Sequence, residues 1–237
     1  MAGGLSAPNR TKEGRLTVSS KTSVVAAILD VDHTLVPRTS VERMFVRYLW
    51  NHGRLRFQDF LRTIRSLLID GHGPLSVRIK SNKVYLAGRP VRAMEYLAGA
   101  FVADWVRPAV SRRALATLED HRRQGHRLLL LTGCPEFLIR PLAEDLGIDS
   151  IIGSRLEEKD GRWTGRLIPP HPYGEAKRGL LETWAKREAV RLDQSHAYAD
   201  SPADTAVFEI VGYPHVVNPG RVMRRLAADR GWPVLDW

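Results

Sequence analysis

Between Val24 and Leu29 the chain runs through consecutive apolar residues, Val-Val-Ala-Ala-Ile-Leu, and then meets Asp30. An unbroken apolar run this short, without polar alternation, fits a strand covered on both faces. Two-sided cover implies a parallel sheet flanked by helices. The pattern returns at Leu128–Leu131, which ends in Thr132-Gly133, and again in a strand that ends at Asp200. In open parallel sheets ligands bind beyond the carboxyl ends of the strands. Asp30, Thr132 and Asp200, remote in sequence, are therefore expected to converge.

Helices are expected between these strands: one running to about Arg123 and stopped by Gly125, one near Glu136–Leu146, one over Glu175–Glu188, one near Ala203–Val211 and a last one from about Gly220. Further strands are expected at Ser150–Leu156 and His215–Val217, with a hairpin over Glu157–Ile168 turning at Asp160-Gly161. From Pro37 to about Val106 the pattern is helical throughout. Val41, Met44, Phe45, Tyr48 and Leu49 share one helical face, with Thr39 and Glu42 spaced as a capping box. Phe57, Phe60, Leu61, Ile64, Leu67 and Leu68 repeat the stripe, and Pro90 opens a third helix. The fold class is thus α/β: a Rossmann-like parallel sheet with helices on both faces, interrupted after its first strand by an all-helical insertion. The expected organisation is a basic tail over 1–23, a core of 24–36 and 107–237, and the insertion at 37–106.

A chain of 237 residues with 43% apolar and 26% charged residues can build a sizeable core. No apolar run approaches the roughly 20 residues that span a bilayer, and none near the start suits a secretory signal. One cysteine, Cys134, excludes an intrachain disulfide and a cysteine-based zinc site, so a cytoplasmic address is expected. Cys134 itself reads as a small buried residue. The eight histidines are dispersed without paired ligand spacing, and none is assigned to a metal. The formal charge of +10 is uneven, residues 36–106 alone carrying a net +7. That excess suits a substrate with extra negative charge. It equally keeps a nucleic-acid end or a lipid head group in view, or a set of solvated helix faces such as those bearing Arg43 and Arg47.

Asp30 and Asp32 stand on the turn leaving the first strand. Two carboxylates so close repel unless a cation or a shared proton relieves them, and a hard divalent ion such as Mg²⁺ is the natural partner. An Asx-type turn is the structural alternative. Asp200 and Asp204 repeat the theme at a strand-to-helix junction, where Asp204 can also favour the helix dipole. Thr132-Gly133 offers a hydroxyl and an open backbone N–H to a phosphoryl oxygen, or serves as a plain helix cap. Lys177 stands at a helix start, against the dipole, as if an anion were held nearby.

Taken together, Asp30-Val31-Asp32-His33-Thr34-Leu35, then Leu131-Thr132-Gly133, then Lys177, then Asp200-Ser201-Pro202-Ala203-Asp204 resemble, in order, the four motifs of haloacid-dehalogenase-superfamily phosphatases, in the subfamily that is phosphoserine-phosphatase-like. The likeness extends from about residue 24 to the end, and the helical insertion stands where that subfamily keeps its cap. The resemblance implies a phosphatase acting on a small phosphorylated metabolite. In it Asp30 is the nucleophile, and Asp32 is the general acid and then the general base. Mg²⁺ is held by Asp30, the Asp32 main-chain carbonyl and Asp200, with Asp204 supporting, and Thr132, Gly133 and Lys177 grip the phosphoryl group. An aspartate at 32 favours release by water. His33 stands where the superfamily most often has glycine, which suggests a backbone role. Thr39 replaces the glutamate that reads the substrate ammonium in phosphoserine phosphatases, which argues against phosphoserine.

Overall fold

The first apolar run forms strand β1 (Ala26–Leu29), buried along its whole length. In the computed structural model, which describes residues 24–55 and 83–237, β1 is the central strand of a seven-stranded sheet. The other strands are β2 (Arg127–Pro135), β3 (Ser150–Lys159), β4 (Arg162–Ile168), β5 (His196–Ala199), β6 (Tyr213–Val217) and β7 (Val234–Leu235), in the spatial order β4-β3-β2-β1-β5-β6-β7. All neighbours pair in parallel except the β3–β4 hairpin. The hairpin turns at Asp160-Gly161, both with positive φ (51° and 71°), as a tight two-residue connection requires. The short pairing of β7 with β6 was not expected from sequence. A run of two residues leaves no pattern to read.

Helices cover both faces. The described helices are α1 (Val41–Asn51), α2 (Val91–Phe101), α3 (Arg112–Arg123), α4 (Glu136–Asp145), α5 (Glu175–Glu188), α6 (Thr205–Phe208) and α7 (Arg221–Arg230). One apolar layer joins Ala27, Leu29, Leu128 and Leu130 to α3, α4 and the insertion helices α1 and α2. The other joins Ala26, Ile28, Leu129 and Leu131 to α5, α6 and α7. This alternation along β1 and β2 is the two-sided burial expected of a parallel strand.

In α1 the expected stripe is largely inside: Val41, Phe45, Tyr48 and Leu49 are buried, while Arg43 and Arg47 are exposed. Its cap differs from the sequence expectation. Ser40, the residue immediately before the helix, accepts from the Arg43 N–H at 3.3 Å in place of Thr39, and the Glu42 carboxylate is bonded to Lys83 and Tyr85 instead of turning back to a cap. The apolar stripe from Phe57 to Leu68 lies outside the described residues. After Phe101 the helix widens into a π-turn, Val102–Val106. The hairpin packs against the insertion, where Gly165 (φ 84°) lets the backbones close in. A methyl group there would stand 3.1 Å from Ala87 Cβ and 3.2 Å from Val84 Cα.

At the amino-terminal end of the strands, burial pushes His121 and His215 down to about 4, helped by neighbouring imidazoles of which His196 is common to both. Each is neutral when folded and protonated when unfolded below about pH 6.5, so both contribute stability above that pH and lose it as pH falls toward 4. Replacing His215 by Gln should flatten this acid limb, removing up to about one of the protons taken up on unfolding between pH 4 and 6.5. The slope of denaturation free energy against pH, compared with wild type, measures it.

Candidate active site

Strand order reverses at β1, with β2 on one side and β5 on the other. Such a reversal opens a crevice at the carboxyl ends, because the connections leave in opposite directions. Asp30 is the first residue past β1, and its N–H donates to the Tyr198 carbonyl at 2.9 Å. Asp200 is the first residue past β5. Thr132 and Gly133 lie in β2, which runs on to Pro135 instead of ending at Leu131. Its register with β3 shifts between Leu131 and Pro135, and the Ser154 hydroxyl donates to the Gly133 carbonyl at 2.8 Å, holding the irregular stretch in place.

Lys177 crosses to this crevice from the first turn of α5. Its ammonium donates to Asp30 Oδ1 at 2.9 Å and to Asp204 Oδ1 at 2.5 Å. All three residues are buried. Burial by itself would lower the lysine, but the carboxylates of Asp204 and Asp30 outweigh it and hold the ammonium above its ordinary range. The charge that looked misplaced against the dipole of α5 is thus locked between two acids.

Asp32 takes its orientation from α1: Oδ1 accepts from the Val41 N–H at 2.8 Å. Burial, and then the nearby Asp30 charge, push its carboxyl up to about 7. Asp200 is likewise pushed up to about 7, by burial first and then by Asp30 and Asp204. Lys177 is the lysine bonded within this group of four carboxylates, so negative charge is left over after it is counted. An all-oxygen, anionic donor set of this kind fits a hard divalent cation such as Mg²⁺.

The Thr132 hydroxyl oxygen accepts from the Cys134 N–H at 3.2 Å, which leaves its proton to be donated elsewhere. Gly133 is exposed beside it. Cys134 is buried, and burial followed by the Asp32 and Glu42 charges raises its thiol well above the usual range, as befits a packing residue. His33 adopts φ 61°, the left-handed conformation that explains a preference for glycine there, and its carbonyl accepts from Asn218 Nδ2 at 3.0 Å.

Sequence reasoning missed a second group at the mouth of the site. Glu42 accepts from Lys83 Nζ at 2.5 Å and from the Tyr85 hydroxyl at 3.0 Å, and it acts electrostatically on both Asp32 and Cys134. Lys83 is buried, and its charge also reaches His171, whose Nδ1 is buried with no hydrogen-bond partner among the described residues. The following Pro172 carbonyl would stand 3.7 Å from a methyl group added at Gly133. No motif marks Lys83 or His171, and Glu42 reads locally as part of a capping box. Pairing across 41 positions, as between Glu42 and Lys83, leaves no signal in a single sequence.

Lys177→Met should leave Asp30 and Asp204 buried without a cation. Breaking a buried pair from one side costs about 3–5 kcal/mol. Urea denaturation of metal-free protein at pH 8 should show a loss of that order.

The family model for haloacid dehalogenase-like hydrolases matches residues 27–209. A protein of Streptomyces azureus named for inhibition of morphological differentiation is 28% identical, covering 90% of this chain and 78% of that one. A histidinol-phosphatase of Neisseria meningitidis is 27% identical, over 89% of this chain and 98% of its own. Among solved structures, a Bordetella pertussis protein of unknown function superimposes with a TM-score of 0.78 at 26% identity, over 91% and 99% of the two chains. A phosphoserine phosphatase solved as an analogue of its phospho-aspartyl intermediate shares the fold at 19% identity, with a TM-score of 0.58 over 90% of this chain and 93% of that one. With its motifs gathered at the strand ends and the family model covering most of its length, this chain belongs to the haloacid dehalogenase-like hydrolases.

Proposed function

We propose that this chain, a phosphatase of that family, hydrolyses the phosphomonoester of a small metabolite through a phosphorylated Asp30. The observation that carries this reading is a buried Lys177 bonded to Asp30 and Asp204 and acting electrostatically on Asp32 and Asp200, past the ends of β1 and β5. Asp30, the Asp32 main-chain carbonyl and Asp200 would hold Mg²⁺, with Asp204 supporting them. When bound, the ion offsets the acidic charge and polarises the phosphoryl oxygens.

The Thr132 hydroxyl, the Gly133 N–H and the Lys177 ammonium grip the phosphoryl oxygens and stabilise charge as it develops. With Oδ1 of Asp30 engaged by Lys177, its other oxygen attacks phosphorus. The ester P–O bond breaks as Asp32 gives its proton to the leaving oxygen. Val41 fixes Oδ1 of Asp32, so Oδ2 is the oxygen that carries this proton. The Asp32 carboxylate then takes a proton from water. The water oxygen bonds to phosphorus, the bond to Asp30 breaks, and inorganic phosphate leaves.

The insertion, whose described helices are α1 and α2, serves as the cap above this site. Relatives named histidinol-phosphatase and phosphoserine phosphatase support a small phosphomonoester. The basic excess of the insertion favours one bearing a further negative charge, although Lys83 is already neutralised by Glu42.

Phosphate release from a panel of phosphomonoesters, with Mg²⁺ or with chelator, tests this reading. Activity should require the metal, and Asp30→Asn should lower kcat by at least about 10³-fold. The same variant should still fold, because the Lys177 ammonium keeps its bond to Asp204 and the crowded acidic site loses a charge, with a melting temperature between those of wild type and Lys177→Met. Asp32→Asn should also fall steeply, and most with substrates whose leaving groups most need a proton. Activity confined to nucleic-acid ends or lipids, and falling steeply with salt, would instead assign the basic insertion to a polyanionic substrate. No release from any compound by folded wild-type protein would overturn the reading.

A further inference from the structure

Four of the histidines that seem scattered in the sequence meet at the opposite end of the sheet from the acidic site. The cause is local first. Helix α3 ends in a Schellman turn: the Gly125 N–H donates to the Arg122 carbonyl at 3.0 Å and the His126 N–H to the His121 carbonyl at 3.0 Å, with Gly125 at φ 71°. This turn brings the side chain after the glycine back onto the one five residues earlier. Here both are imidazoles, and their Nδ1 atoms stand 2.8 Å apart.

Topology supplies the rest. β5 begins at His196, on the sheet face that α3 covers, and the His121 and His196 rings lie 4.7 Å apart between centroids. One ring nitrogen from each of His121, His126 and His196 falls within 4.8 Å of the other two. Outer contacts orient these rings. His121 Nε2 shares a hydrogen bond of 2.8 Å with the Tyr198 hydroxyl, and His196 Nδ1 lies 3.3 Å from Nε2 of His215, which stacks on it. His121 is buried, whereas His126 and His196 are half-buried and give access from solvent.

We propose that His121, His126 and His196 form a binding site for a single divalent transition-metal ion of the zinc class, separate from the Mg²⁺ site at the other end of the strands. Nitrogens sharing a tetrahedral zinc stand roughly 3.3–3.4 Å apart, given Zn–N distances of about 2.0–2.1 Å. The close pair must therefore open slightly and the third ring turn inward, movements that side-chain rotation provides. Imidazole nitrogens suit zinc, copper and nickel and are poor ligands for Mg²⁺. A ligating histidine characteristically has its second nitrogen bonded to an outer partner, the role Tyr198 takes toward His121. All three rings are held below their ordinary pKa by burial, so they present lone pairs rather than protons near neutral pH.

The test is a titration of chelator-stripped protein with Zn²⁺, in excess Mg²⁺ to occupy the acidic site, read by calorimetry and by the visible d–d bands of Co²⁺ as a substitute. One equivalent should bind, raising the melting temperature. His126→Gln and His196→Gln should each weaken binding at least about tenfold, and Tyr198→Phe about 10–100-fold. The histidine variants should keep the Mg²⁺-dependent phosphate release of wild type, which separates this site from the catalytic one. Absence of stoichiometric uptake by wild type would show a hydrogen-bonded aromatic stack and overturn the proposal. So would uptake that persists undiminished in the His126→Gln/His196→Gln double variant and disappears with Asp200→Asn.

Discussion

Lys177, buried between Asp30 and Asp204, is the interaction on which the rest of the site depends. An ammonium taken out of water loses several kcal/mol of hydration, and two acids at hydrogen-bond distance compensate only if they are rigidly placed. Three segments supply that rigidity: the turn leaving β1, the first turn of α5, and the short turn before α6. In that last turn the Ser201 hydroxyl accepts from the Ala203 N–H at 3.2 Å and the Asp204 N–H bonds back to the Ser201 carbonyl. The lysine therefore works as a tie between chain segments 147 and 27 residues away, as well as a charge at the site. Fold and chemistry meet in one side chain.

Strand order explains why those segments are neighbours. β1 lies between β2 and β5, so residues leaving all three strands face one crevice. The insertion departs immediately after β1, and its first helix returns a backbone N–H, that of Val41, to Asp32. A carboxyl that belongs to the core is thus aimed by the insertion. Any shift of α1 alters the orientation of Asp32 directly, which couples the position of the insertion to a carboxyl of the acidic site.

Much of this was legible in the sequence, because its signals are local. Six apolar residues ending at an aspartate mark a two-sided strand, and the Asp160-Gly161 pair marks the hairpin turn. Lys177 stood out because a lysine in the first turn opposes the helix dipole. The failures share one cause. Ser40 caps the first insertion helix in place of Thr39, and Glu42, the other half of the expected box, has tertiary partners, Lys83 and Tyr85, that local spacing does not reveal. The end of β2 was set by its register with β3, not by its own composition. Glu42, Lys83 and His171 come together only because α1, the chain at Lys83 and the loop before α5 are neighbours in the fold.

The histidines make the same point at the other end of the sheet, and the two ends differ in the donors they offer. The carboxyl ends of β1 and β5 present carboxylate oxygens, and the amino-terminal edge presents neutral imidazoles. Hard, strongly hydrated Mg²⁺ gains little from imidazole, whereas a zinc-class ion binds it well and competes for carboxylate as well. On the two proposals together, a zinc-class ion would find imidazole at one end of the sheet and Mg²⁺ would find carboxylate at the other. Separation by donor type needs no moving part. It follows from which end of the sheet each side chain lies at.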